Sequence, residues 1–257
     1  MSADFTFETY AGLLEAGIDS GFDHLTVREY LDRETLPERF VVHRHDVDRK
    51  PDNARRIARI EAERDVRSTF YFRTIDKTFV PSLIREIASM GHEVGYHYED
   101  LDRADGDVRA AHESFARELA RLRDVVSVDT VCMHGNPLTP HDNRAMWESE
   151  RDFEDYGLLG EAYLSMDFTD VTYFSDTGRT WADGALKVKD HPVGDHEKYV
   201  EATSTADLIG LLTSGRVSRA CLLSHPNRWA GSYPELVVEY AKDTAVNVAK
   251  HGLNLVS

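Results

Sequence analysis

Hydrophobic positions in this chain recur with two periods, one suited to helices and one to strands. Over residues 5–16, Phe7, Tyr10, Leu13 and Leu14 fall at helical spacing and the run closes at Gly17, predicting an amphipathic lead-in helix. Residues 21–31 are less regular and leave room for a short strand. Phe40-Val41-Val42 opens the stretch RFVVHRHDVDRKP, an apolar strand that ends in charge. Pro51-Asp52-Asn53 starts a helix to about residue 63, with Ala54, Ile57, Ile60 and Ala62 on one side. The aromatic and β-branched content of 68–72 predicts a second strand. Pro81 opens a helix with Leu83, Ile84, Ile87 and Met90 that Gly91 ends, and residues 92–99 follow as a third strand. Val108, Ala111, Phe115, Leu119 and Leu122 mark a longer helix before a fourth strand at 128–134.

From 138 to about 170 the periodicity fails, and long irregular segments of this kind often carry function. A strand at 171–175, a helix at 206–212 and a strand at 220–224 come next. A helix at 236–248 and a short strand at 253–256 close the chain. Strand and helix alternate with short turns, without an internal repeat or linker, which points to parallel β/α units. Their number suits a (β/α) barrel of about seven parallel strands; an open doubly wound parallel sheet is the alternative. Residues 1–257 then form one domain, with 1–38 as a lead-in segment.

Composition narrows the function classes. The 257 residues carry a net charge of −16, which argues against a nucleic-acid partner. Only 7 of the 30 basic residues are Lys, and so acidic and Lys-poor a surface suits a salt-rich, halophilic cytosol where screening limits self-repulsion. The opening MSADFTFETYAGLLEAG lacks the basic and apolar regions of a signal peptide, and no apolar run approaches the ~18 residues of a membrane span, so the expected location is cytoplasmic. Cys132 and Cys221 sit in apolar stretches and read as reduced core thiols. No GxGxxG or Walker A pattern supports nucleotide binding.

The chemistry gathers at strand ends. Side chains alternate along a strand, so Arg44, Asp46 and Asp48 share a face, as do Gly95, His97 and Glu99. His134 and His225 stand at the ends of two further strands. If those strands are parallel, their carboxyl ends meet at one rim. The acidic and imidazole groups there are more than packing explains, and they are the oxygen and nitrogen donors a divalent metal takes.

RHDVD, STFYF, GHEVGYHYEDL, HGNP, SDTGRTW and LLSHPNRW, in this order, resemble the polysaccharide deacetylase superfamily (NodB homology, carbohydrate esterase family 4). The nearer likeness is to the branch whose first motif reads RHDVD instead of TFDDG, and it runs from about residue 5 to the end. The resemblance implies a distorted (β/α) barrel and a metal-dependent hydrolase, most simply a zinc one, that removes acetyl groups from a carbohydrate or sugar-precursor substrate. It implies Asp46 as base and Asp48 as metal ligand, with the exchanged roles open because Val47 stands where TFDDG has its second Asp. The second motif of the family has two His four residues apart; His97 is the first, but Leu101 occupies the second place. The third ligand is then His134, where the family usually has Arg, or Glu99, on the face of His97. His225 matches the late-strand general acid, and Asp176, Arg179 and Trp181 match the fourth motif; Arg44, on the face of Asp46 and Asp48, reads as their charge partner.

Two other functions fit the same residues: a catalytically silent barrel that binds a glycan or nucleotide-sugar, and a metal hydrolase of another C–N bond. Simpler accounts stand beside several single residues. His43 and His45 face the helix layer, His92 is a turn residue, Tyr96 and Tyr98 are core aromatics, and 176–181 is a helix cap with a packed Trp.

Overall fold

In the computed structural model the chain is described over residues 4–184, 187, 189–193, 198–232 and 234–238. The expected helix at 236–248 falls almost wholly outside them, and the strand at 253–256 wholly so. Eight strands form one sheet among the described residues: β1 (Asp23–Leu25), β2 (Phe40–Val47), β3 (Thr69–Phe72), β4 (Glu93–Tyr98), β5 (Thr130–Met133), β6 (Gly160–Glu161), β7 (Thr172–Ser175) and β8 (Arg219–Ser224). Every pairing is parallel, in the order β6-β5-β4-β3-β2-β8-β7, with β1 beside the start of β2. The helices between them are α1 (Phe7–Asp19), α2 (Val27–Asp32), α3 (Pro51–Ala62), α4 (Pro81–Ser89), α5 (Asp100–Arg103), α6 (Val108–Arg123) and α7 (Thr205–Thr213).

The two outer strands of this order curl toward each other. Tyr163, just past β6, and Tyr173 on β7 bring their hydroxyls to 3.2 Å, and both donate to the half-buried carboxylate of Asp190. In an open doubly wound sheet those edges would lie at opposite ends of the molecule. The fold is a distorted (β/α) barrel whose β6–β7 gap is bridged by side chains instead of backbone pairs. Among the described residues, the expected strands from 40 to 224 and the helices up to 212 are present within a few residues, together with α2, α5 and β6, which periodicity did not mark.

Local chemistry explains the elements that carry the site. α3 starts at Pro51, whose missing N–H costs nothing in a first turn, and buries Ala54, Ile57, Ala58 and Glu61 against the sheet. α2 is held by a capping box between Thr26 and Glu29. β2 is buried along its whole length because both of its faces are covered, as parallel strands require. Its outward residues are polar and answered by polar partners. His43 lies 2.8 Å from His24, and His45 donates to Glu61 at 2.8 Å. Tyr10 and Ser68 also donate to Glu61, each at 2.6 Å. Burial alone would raise the Glu61 carboxyl; the imidazoles of His45, His92 and His43 outweigh it and bring it down to about 2. His92 is not the turn residue expected: it is buried, and its Nε2 donates to the Ala58 carbonyl at 2.9 Å. Cys132 and Cys221 are buried free thiols, and no helix of the described residues is long and apolar enough to cross a membrane.

β4 sends Tyr96 and Tyr98 out to pack on Phe115 of α6, while Gly95 and His97 face the barrel interior. Gly95 leaves room for the ring of Tyr71: a Cβ there would overlap that ring and stand 2.7 Å from the Thr130 carbonyl oxygen. Gly95→Ala should therefore cost about 1–3 kcal/mol, the usual range for overfilling a packed core. Denaturant unfolding measures it; an unchanged midpoint would mean that the ring moves aside freely.

Candidate metal centre

Asp46 is the next-to-last residue of β2 and points into the barrel beside Arg44. The chain then turns tightly, with the Asp48 N–H donating to the Asp46 carbonyl at 3.2 Å, which brings the Asp48 side chain over the mouth. His97 comes from β4, while His134 and His225 each follow the end of a strand, β5 and β8. Because all these strands run in parallel, their carboxyl ends deliver these groups to one rim.

Asp48 is the meeting point. Its Oδ1 lies 3.4 Å from His97 Nε2 and 3.4 Å from His134 Nε2, and its Oδ2 lies 3.9 Å from His225 Nε2. Asp48, His97 and His134 each offer a ligand atom within 4.8 Å of the others. Burial would raise the Asp48 carboxyl, but the imidazoles of His134, His97 and His225 outweigh it and hold it well below the usual carboxylate range. Burial likewise opposes charge on His97, yet Asp46 and Asp48 hold its imidazole above the ordinary value.

The residues fit a divalent cation. Asp48 Oδ1 is buried without a hydrogen-bond partner among the described residues, at the spot both imidazoles face. Bonds of about 2.1 Å in a tetrahedral shell place ligand atoms about 3.4 Å apart, the spacing seen here. His97 donates its Nδ1–H to the Cys132 carbonyl at 3.0 Å, which leaves Nε2 with a lone pair toward Asp48. Asp46, His97 and Cys132 also lie within 4.8 Å of one another. That grouping is the poorer one, since burial pushes the Cys132 thiol well up and a metal takes the thiolate.

Asp46 is built differently. Its Oδ2 accepts from Arg44 Nη2 at 3.0 Å, while its Oδ1 is buried without a partner among the described residues. Arg44 is fully buried and lies 4.1 Å over the Tyr163 ring; burial works against its charge, but Asp46 keeps it protonated. His225 is anchored by Asp176, which accepts its Nδ1–H at 2.7 Å, its backbone N–H at 2.9 Å and the Trp229 indole N–H at 2.9 Å. Glu99 stands behind His134, bound to Arg73 and Arg103.

Arg44, Asp46, Asp48, His97, His134, Asp176 and His225 are thus brought together. Arg179 and Trp181 lie further from Asp48, Arg179 being joined to the group through its N–H, which donates to the Asp176 carbonyl at 2.9 Å. Trp181 is fully buried, stacked on Phe5 and donating to Thr205 at 3.0 Å. Arg179 donates to the Arg228 carbonyl at 3.1 Å and supports the turn after His225. Periodicity passed over Asp190, which takes hydroxyl donors from Tyr163, Tyr173, Ser175 and Thr177 and so ties the 189–193 segment into the barrel. The only trace of it in the chain is the inward run of hydroxyls at the end of β7.

No family model matches the sequence, and no curated protein does. Solved carbohydrate esterases of family 4 are similar to this chain. One, from Bacillus anthracis, is 12% identical over 97% of this chain and 90% of its own, with a TM-score of 0.40. A second, a family 4 pseudoenzyme from Bacillus anthracis, is 13% identical over 80% of this chain and 60% of its own, with a TM-score of 0.41. A mutant of that pseudoenzyme with restored enzymatic activity matches at 13% identity over 84% and 64%, with a TM-score of 0.41. The chain spans less than two thirds of the length of these two pseudoenzyme structures.

Proposed function

We propose that the chain is a metal-dependent hydrolase that removes an acetyl group from an N-acetylated sugar or glycan precursor. The observation that carries this is the unpartnered Asp48 Oδ1, which lies 3.4 Å from an imidazole nitrogen of each of two histidines. Asp48, His97 and His134 would hold the cation, and one carboxylate with two imidazoles is a donor set that suits zinc. A cation bound there supplies Lewis acidity, polarising a carbonyl and lowering the pKa of water from about 15.7 toward ~7.

The remaining work falls to side chains. Asp46 is the base: Arg44 Nη2 occupies one of its oxygens, and the other is free to take the proton of the attacking water. His225 is the acid: Asp176 fixes its Nδ1–H, so Nε2 faces the mouth and protonates the amine as the C–N bond breaks. Acetate and the free amino sugar leave.

Purified protein incubated with a panel of N-acetylhexosamines should release acetate in step with free amine. A barrel that binds sugar without turning it over is the second reading, and Leu101 at the place of a second-motif His is the observation behind it. Protein without a stoichiometric divalent ion would favour that reading. A bound ion with no acetate released would point to another C–N bond.

A further inference from the structure

His134 enters the site on a tightly held backbone. Its N–H donates to the Tyr98 carbonyl at 2.7 Å, and its own carbonyl accepts from Asn143 Nδ2 at 2.9 Å. What remains to be set is the turn of the imidazole. Its Nε2 faces Asp48, and its Nδ1 lies 3.3 Å from Glu99 Oε2, in ion-pair range though not aligned as a hydrogen bond. Glu99 itself has little freedom. Arg73 Nη2 donates to its Oε2 at 2.5 Å and Arg103 Nη2 to its Oε1 at 2.8 Å, and its side chain is 9% exposed. Arg103 sits four residues on, one turn along α5, whose start Glu99 caps.

We propose that Glu99, gripped by Arg73 and Arg103, is the positioning residue for His134: it holds the Nδ1 proton outward so that Nε2 keeps its lone pair for the cation. This rests on the reading that Asp48, His97 and His134 form the cation site. It assigns to Glu99 a place behind the ligand and excludes it as a ligand. A carboxylate with a guanidinium on each oxygen would have to give up one of them to reach a cation, and the two arginines would then repel the incoming charge. The other two imidazoles follow the same rule by different means, with His97 donating to the Cys132 carbonyl and His225 to Asp176. His134 is the one whose acceptor is held by two cations.

The test measures zinc affinity by chelator competition, and the absorption spectrum of the cobalt-loaded protein, for wild type, Glu99→Ala, Glu99→Gln and His134→Ala. Glu99→Ala should weaken zinc binding by about 10–100-fold, as loss of an outer partner to a ligand His does. Its cobalt spectrum should keep the wild-type shape. Glu99→Gln should recover part of the loss, because the amide oxygen still accepts from Nδ1. His134→Ala should lose more and change the spectrum. Wild-type affinity in a folded Glu99→Ala protein would overturn the inference. So would equal loss in both Glu99 variants with His134→Ala binding normally, since Glu99 would then be the ligand. Wild-type protein that takes up neither metal removes the metal reading and this inference together, an outcome distinct from the other two.

Discussion

Asp46→Asn should lower kcat by about 10²–10⁴-fold, the usual share of a positioned base, while the bound metal stays at the wild-type level. Asn keeps the shape and an oxygen for Arg44 Nη2 but has no basic oxygen to take a proton. It also leaves the Arg44 guanidinium without a counter-charge, and Arg44 Nε and Nη1 already lack hydrogen-bond partners among the described residues. Breaking a buried pair commonly costs about 3–5 kcal/mol, so thermal unfolding must accompany the kinetics. Ala would add a cavity to that cost, which makes Asn the cleaner variant. A folded Asp46→Asn protein that turns over substrate normally, or one that has lost its metal, would move the base elsewhere.

Much of the rim could be read from the chain because period two and parallel strands are strong constraints. Once β2 was a strand, Arg44 and Asp46 had to face inward and His43 and His45 outward, and the structure has them so. His97, His134 and His225 follow from the same reasoning, because each stands at or just past the end of an apolar strand. Shorter elements left no such mark. β6 is two residues long and α5 four, too few to show any repeat, so Glu99 looked like the end of a strand when it is the cap of a helix. Long-range partners were equally hidden. Arg103 lies four residues from Glu99 and is readable on helical spacing, but Arg73 arrives from the end of β3. His92 looked like a turn residue because its partners, Ala58 and Ser68, lie over twenty positions away. Trp181 belongs to a motif by position and to the core by contact, which only the fold can separate.

Asp48→Asn should do to metal binding what Asp46→Asn does to turnover. Asp48 is the one anionic group in the triad with His97 and His134, and its Oδ1 is the atom both imidazoles approach at 3.4 Å. An amide oxygen there is a weaker, uncharged donor, and two neutral imidazoles alone are a poor anchor for a dication. Loss of an outer partner weakens such sites by about 10–100-fold, so loss of this inner charge should exceed ~100-fold in zinc affinity. Stability of the metal-free protein should change less than in Asp46→Asn, because the Asp48 side chain is 23% exposed and balances no buried arginine. Metal content by elemental analysis, set beside thermal unfolding of the metal-free forms, separates the two carboxylates. If Asp48→Asn keeps its metal and Asp46→Asn loses it, the two roles are exchanged: Asp46 then binds the ion with His97, and Asp48, lying against three imidazoles, becomes the base.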